Sequence, residues 1–314
     1  MIDPLVIIAV GGNSLIKDSA HMSVLDQYKA AGETAEHIAG LVSEGVRVLI
    51  THGNGPQVGF ILLRSELAKD QLHQVPLESC VADTQGAIGY QIQQTLANRL
   101  RRQGIERPIA AVVTQVLVDP KDPAFDKPEK PIGPFLSAAE AKQHQTEDGW
   151  AVMEDAGRGW RRVVPSPAPL GVVEQEVIGG LLNQGVIVIA AGGGGIPVVR
   201  DAEGLLRGRP AVIDKDAAAC LMAKNLGAEV MLVTTSVERV ALNYRQPQQV
   251  FVDRMTVAEA KRYLAEGHFG KGSMEPKIEA AVDFLESGGR RVVICKPEAL
   301  EDAFHRRAGT EIIP

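Results

Sequence analysis

The sequence predicts an α/β fold: a three-layer α/β/α sandwich on a mainly parallel central sheet, with a small protruding subdomain. Three observations carry this. Short apolar runs that end in glycine recur: residues 6–10 before Gly11-Gly12, 46–51 before His52-Gly53, and 186–191 before Gly192-Gly193-Gly194-Gly195. Such runs read as strands buried on both faces of a parallel sheet. Stretches of helical period alternate with them along the chain, as βα units require. Of the 314 residues 45% are hydrophobic but only 4% aromatic, which suits a large core built on Val, Ala and Gly.

Taken in order, residues 6–10 form the first strand and 24–44 the first helix, which Gly45 ends. A strand at 46–51 and a helix at 57–69 follow. Residues 80–103 make a longer helix with Ile88, Ile92, Leu96 and Leu100 on one face, stopped by Gly104. The next strand is 109–115. Five prolines mixed with charges then fill 119–134, a spacing that forbids regular helix. The chain reads as irregular to about residue 169, yet it carries Trp150 and Trp160. A structureless loop of that length is unusual in a compact domain. Residues 119–168 are therefore read as a subdomain or lid inserted in a single domain, 1–314.

Helix returns at 170–183, followed by the strand 186–191 and a hairpin around Asp201-Ala202-Glu203-Gly204. Residues 214–226 form an alanine-rich helix, 229–234 a strand and 237–243 a short strand. After a helix at 256–266, Ser273 caps a helix to 286 that tolerates Pro276 in its first turn. A strand at 291–295 and a helix at 297–306 close the chain.

The net charge is −6 with no basic stripe, which argues against nucleic acid as a partner. Cys80, Cys220 and Cys295 are far apart and read as buried thiols of a reducing compartment. The N-terminus lacks the basic region of a signal peptide, and no apolar stretch is long enough to span a membrane, so a cytoplasmic protein is expected.

In an open α/β sheet the ligand lies beyond the carboxyl ends of the strands. Glycine-rich loops at that edge let backbone N–H groups approach an anion, most simply a phosphate chain. The chain fails the Walker pattern, since Lys271 precedes Gly272, and the dinucleotide fingerprint, since Pro197 takes the last glycine position. The charge has to come from elsewhere. Asp214-Lys215-Asp216 stands between an apolar strand and a helix, either as a solvated helix start or with Lys215 over a transferring phosphoryl group. Lys277 falls in a helix first turn, where the dipole disfavours it; that mismatch points mildly to a ligand. Lys130 reads on composition as a surface charge. No Ser/His/Asp or metal constellation is visible, and phosphoryl transfer needs none.

Ordered segments along nearly the whole chain resemble the carbamate kinase family within the amino-acid kinase fold. They are Ala9-Val10-Gly11-Gly12-Asn13, Thr51-His52-Gly53-Asn54-Gly55-Pro56, Thr84-Gln85-Gly86, Lys130-Pro131-Ile132-Gly133-Pro134, Arg162-Val163-Val164-Pro165, Ala191-Gly192-Gly193-Gly194-Gly195, Asp214-Lys215-Asp216 and Gly272-Ser273-Met274 with Pro276-Lys277. The resemblance implies reversible phosphoryl transfer between ATP and carbamate, giving ADP and carbamoyl phosphate, with Mg²⁺ accompanying the nucleotide and no metal held directly by side chains. The carbamate side would be 1–118 with 169–190, and the nucleotide side 191–314. Gly11, Gly12, Asn13, Gly53 and Asn54 would hold carbamate through N–H donors and amides. Lys215 and Lys277 would neutralise developing charge, Asp216 would align them, and Lys130 would reach down from the lid. Gly193, Gly194, Thr234, Tyr244 and Met274, with the two lysines, would lie at the nucleotide. The resemblance also implies a homodimer. The chain departs from the family pattern at Glu275, where a second glycine is common, and at Asp83, Thr235 and Glu238. The alternatives are a kinase of another small carboxylate, and a catalytically weak protein that binds carbamoyl phosphate or nucleotide.

Overall fold

The computed structural model describes residues 4–12, 23–155 and 159–314. Strand β1 (Leu5–Val10) is buried along its whole length. Its odd residues Leu5, Ile7 and Ala9 pack into one hydrophobic core, and its even residues Val6, Ile8 and Val10 into another. An unbroken apolar run is what a strand covered on both faces demands. Helix α1 (Val24–Ser43) starts at a capping box, with Ser23 accepting from the Asp26 N–H and Asp26 returning the contact. Then come β2 (Arg47–His52), α2 (Gln57–Leu67) and α3 (Leu77–Arg102), whose Ile88, Ile92, Leu96 and Leu100 join the even-side core.

The stretch 109–115 is not one strand. β3 (Ile109–Ala111) stays in the main sheet, while β4 (Gln115–Val118) begins a second one. The break falls at Thr114, whose N–H and C=O both bond the side-chain amide of Gln85. The segment read as irregular is ordered: β5 (Lys130–Leu136), α4 (Ala138–Glu147), β6 (Val152–Glu154) and β7 (Trp160–Val164) form an antiparallel sheet with one helix. Helix α4 has a capping box at Ser137 and Glu140 that the proline-weighted reading passed over. Residues 170–183 split into β8 (Pro169–Val172) and α5 (Gln175–Asn183).

The second half runs through β9 (Ile187–Ile189), β10 (Ile196–Arg200), β11 (Leu206–Gly208), α6 (Lys215–Asn225) and β12 (Val230–Thr234). It continues with β13 (Val240–Leu242), β14 (Val250–Val252), β15 (Arg254–Thr256), α7 (Val257–Ala265) and α8 (Glu275–Glu286). Last are β16 (Arg291–Cys295), α9 (Leu300–Phe304) and β17 (Thr310–Ile313). Met274, not Ser273, occupies the N-cap position of α8, without a side-chain bond; Pro276 does lie in the first turn. Strands β14, β15 and β17 are too short to show a period.

Among the described residues the main sheet has eight strands in the order β15-β17-β16-β12-β1-β2-β9-β3, all neighbours parallel except β16 and β17. Helices α6 and α8 contribute to the odd-side core and α1, α3 and α9 to the even side, completing the three layers. Because β1, β2, β9 and β12 run the same way, the loops after Val10, His52, Ile189 and Thr234 open on one edge. Cys80, Cys220 and Cys295 are buried free thiols, and no helix among the described residues is long and apolar enough to cross a membrane.

Candidate active site

The glycine loops first serve each other. The Gly11 N–H donates to Thr234 Oγ1 at 2.9 Å and the Gly53 N–H to the Val10 carbonyl at 3.0 Å. In this structure both amides bond within the protein. Their smallness lets strands meet: a Cβ on Gly53 would lie 3.2 Å from the Gly12 nitrogen and 3.2 Å from Lys215 Cδ. The stem of Lys215 thus rests on bare backbone. Asn13 lies outside the described residues.

Beside Gly53, Asn54 is buried and its Oδ1 accepts from Thr84 Oγ1 at 2.7 Å. Its Nδ2 is buried without a hydrogen-bond partner. An unpaired buried amide donor is costly unless something accepts from it. Thr84, unassigned from the sequence, anchors Asn54 and also lies 2.7 Å from the Val81 carbonyl. Gly193 closes over the other side: at φ +66° any Cβ there would lie 2.1 Å from Asn54 Oδ1. A Gly194 Cβ would strike the Ile213 carbonyl. Gly193 and Gly194 are thus packed against Asn54 and Ile213. His52 is also buried, with Nδ1 3.0 Å from the Gly53 carbonyl; burial lowers its pKa to about 4, so it is a neutral spacer.

Asp214 organises the charges. It is the N-cap of α6, its Oδ1 accepting from the Asp216 N–H at 2.9 Å. Its Oδ2 accepts from Lys130 Nζ of β5, so the lid lysine is in the site. Asp216, in the first turn of α6, is 2% exposed and bonds two ammoniums, Lys215 Nζ on Oδ1 and Lys277 Nζ on Oδ2, the latter at 2.8 Å. Lys277 comes from the first turn of α8, so the dipole mismatch is answered by Asp216, and its ion pair is with Asp216 rather than Glu275. Burial alone would raise both carboxyl pKa values. Lys130 and Lys215 nonetheless hold Asp214 well below the carboxylate range, and Lys215 and Lys277 do the same for Asp216. One carboxylate does not serve two buried lysines equally. Burial and the Lys277 charge outweigh Asp216 at Lys215 and lower it to about 8, whereas Asp216 outweighs burial at Lys277 and raises it.

Both ammoniums open into a cleft of about 330 Å³ whose walls include Gly11, Gly12, Thr234, Tyr244 and Met274. Phe251 and Phe269 add aromatic rings that the sequence reading missed. The cleft walls thus combine two ammoniums with aromatic rings, and Arg239 lies over the Phe251 ring. A larger hollow of about 930 Å³ near β17 adjoins this cleft at Arg239, which lines both. Its charges are spent on one another, Arg239 on Asp253, Lys296 on Glu238 and Arg307 on Asp302.

The model of the amino acid kinase family matches residues 4–296. The chain is 48% identical to the carbamate kinase-like protein YahI of Escherichia coli over 98% of each chain. It is 46% identical to the carbamate kinase of Thermococcus kodakarensis, again over 98% of each. The structure of carbamate kinase from Giardia lamblia bound to AMP-PNP superposes with a TM-score of 0.91 at 38% identity, covering 99% of this chain and 98% of that one.

Proposed function

Since the chain belongs to the amino acid kinase family, and within it to the carbamate kinases, we propose that it transfers a phosphoryl group reversibly between ATP and carbamate, yielding ADP and carbamoyl phosphate. The observation that supports this best is the pair Lys215 and Lys277, brought from α6 and α8 onto Asp216 at the cleft. Phosphoryl transfer asks for positioning and for charge neutralisation at the equatorial oxygens, and two fixed ammoniums supply both.

In this reading the nucleotide lies along the cleft, its base among Tyr244, Phe251 and Phe269 and its phosphates toward the lysines. Carbamate takes the side of Asn54, whose unpartnered Nδ2 donates to it, with Gly12 beside it. Lys130 meets the transferred group from the lid. Among the described residues no group of three or more His, Cys, Asp or Glu side chains is placed to hold a metal. A magnesium ion would come with the nucleotide, ligated by phosphate oxygens, where it neutralises charge. The working protein is a cytoplasmic homodimer.

The test is ATP formation from ADP, Mg²⁺ and carbamoyl phosphate, followed by luminescence. Turnover that Lys215→Ala lowers by about 10²-fold or more is the expected result, the usual loss for a contact made to transition-state charge. A folded, ADP-binding protein that forms no ATP would overturn the proposal.

A further inference from the structure

Asp214 has two tasks that belong to different parts of the molecule. Through Oδ1 it caps α6, the helix that presents Lys215 and Asp216. Through Oδ2 it receives Lys130, which stands at the first residue of the lid strand β5. The backbone brings these parts together: Lys130 is opposite Val164 in the lid sheet, and the Val212 N–H donates to the Pro165 carbonyl at 2.9 Å. Asp214 therefore stands two residues after the point where the base of the lid is tied to the core. We propose that Asp214 is a positioning residue of the reaction, the receptor on which the lid docks through Lys130, so that one carboxylate sets both where Lys130 stands and how α6 presents its lysine.

The inference rests on the carbamate kinase reading for its kinetic consequence but not for the docking itself. Lys130 is 29% exposed and Asp214 24% exposed in their side chains, so the pair is partly shielded from water. A charge-assisted contact in such a place outlasts screening better than a surface pair does. Lys130 has three N–H donors. The contact with Asp214 uses one and leaves the others to an anion arriving from the cleft.

The variant that separates the two tasks is Asp214→Asn. Asparagine caps a helix about as well as aspartate, so α6 stays in place while the charge that receives Lys130 is lost; that charge also acts on Lys215 and Lys277, and K130A, which leaves it in place, is the kinetic control. Two readouts follow, the first without substrate. Trypsin is added to wild type, D214N, K130A and the double variant, and cleavage within 119–168 is timed. Lys130 precedes Pro131 and is not itself a tryptic site, so K130A removes no cut. Faster lid cleavage in D214N and in K130A, with no further gain in the double variant, is the expected result. Wild-type protection in D214N, or independent effects in the double variant, would overturn the proposal. The second readout is ATP formation. D214N should raise KM for carbamoyl phosphate about tenfold, the loss of one charge-assisted bond, with KM for ADP within about twofold of wild type. A merely structural role for Asp214 would move both KM values and the unfolding midpoint together. If wild type itself forms no ATP, the carbamate kinase reading fails, and the trypsin series still decides the docking role.

Discussion

Asp216→Asn removes the carboxylate between Lys215 and Lys277 and keeps its shape. Lys215 stands at about 8 with Asp216 beside it. Losing an adjacent opposite charge moves a buried group by roughly 1–3 units. Lys215 then titrates below neutrality and is mostly uncharged at pH 7. The site keeps Lys277 alone, and kcat/KM should fall about 10²–10³-fold, or some 3–4 kcal/mol of transition-state stabilisation. Stability should suffer too. Breaking a buried pair costs about 3–5 kcal/mol when the charge must remain. Lys215 can shed its proton for about 1.4 kcal/mol, but Lys277 stays charged and loses the partner that outweighed its burial, so the unfolding midpoint should drop as well, by several degrees. The assay is kcat/KM for ATP formation against pH, which reports the free enzyme. The working form of Lys215 is the ammonium, and it is lost as pH rises through about 8. Wild type should decline above that pH, and D216N should show the same limb shifted to lower pH. A D216N enzyme with wild-type kcat/KM at pH 7, or with an unmoved alkaline limb, would refute the reasoning.

Other consequences are as direct. Thr84→Val frees Asn54 from its 2.7 Å bond and should raise KM for carbamoyl phosphate about tenfold while sparing ADP; equal effects on both substrates would contradict the division of the site. Gly59→Ala places a Cβ 2.2 Å from Gly133 Cα, backbone against backbone, so β5 has to lift from α2; trypsin should then open the lid faster than in wild type, and equal rates would count against that packing. His52 is buried with a pKa of about 4. Its folded value is depressed, so its contribution is full above 6.5 and is lost as pH falls through 4, about 3 kcal/mol in all. Urea midpoints between those pH values should therefore slope less in His52→Asn, and parallel slopes would exclude the histidine.

The parts of the fold legible in the sequence were those with a repeated local signal. Residues 5–10 and 230–234 are buried on both faces, so their apolar runs are continuous. Helix α3 shows its face through Ile88, Ile92, Leu96 and Leu100. The lid is hard to read because its strands carry Pro131, Pro134 and charged residues, and β5 buries Ile132 alone; a strand with one core residue has no period to read. In the site, Lys215 and Asp216 were readable as a charged helix start. Thr84 and Asp214 were not given roles, because each acts by a bond to a residue 30 or 84 positions away. At Gly11 and Gly53 bare backbone at a strand end signals close approach, and the group that approaches in this structure is the protein itself, through Thr234 Oγ1 and the Val10 carbonyl.

The same packing bears on how far the lid can move. Ile132 of β5 and Val164 of β7 are buried with Val58, Leu62, Cys80 and Val81 of α2 and α3, and with Val212 beside the α6 cap. Arg162 of β7 pairs with Glu66 of α2 and lies over Trp150, whose ring stacks on His144 at 3.9 Å. A sheet rooted in this way cannot swing open as a free flap without exposing two core side chains, at about 1.5–3 kcal/mol each. Movement at the far strands, around β6 and α4, uncovers almost no core, since Ala141 is the buried residue of that helix. Lys130 stands at the rooted end, opposite Val164. Loss of the Lys130–Asp214 contact is therefore expected to loosen the base of the lid locally, while the buried Ile132 and Val164 still hold the sheet to α2 and α3.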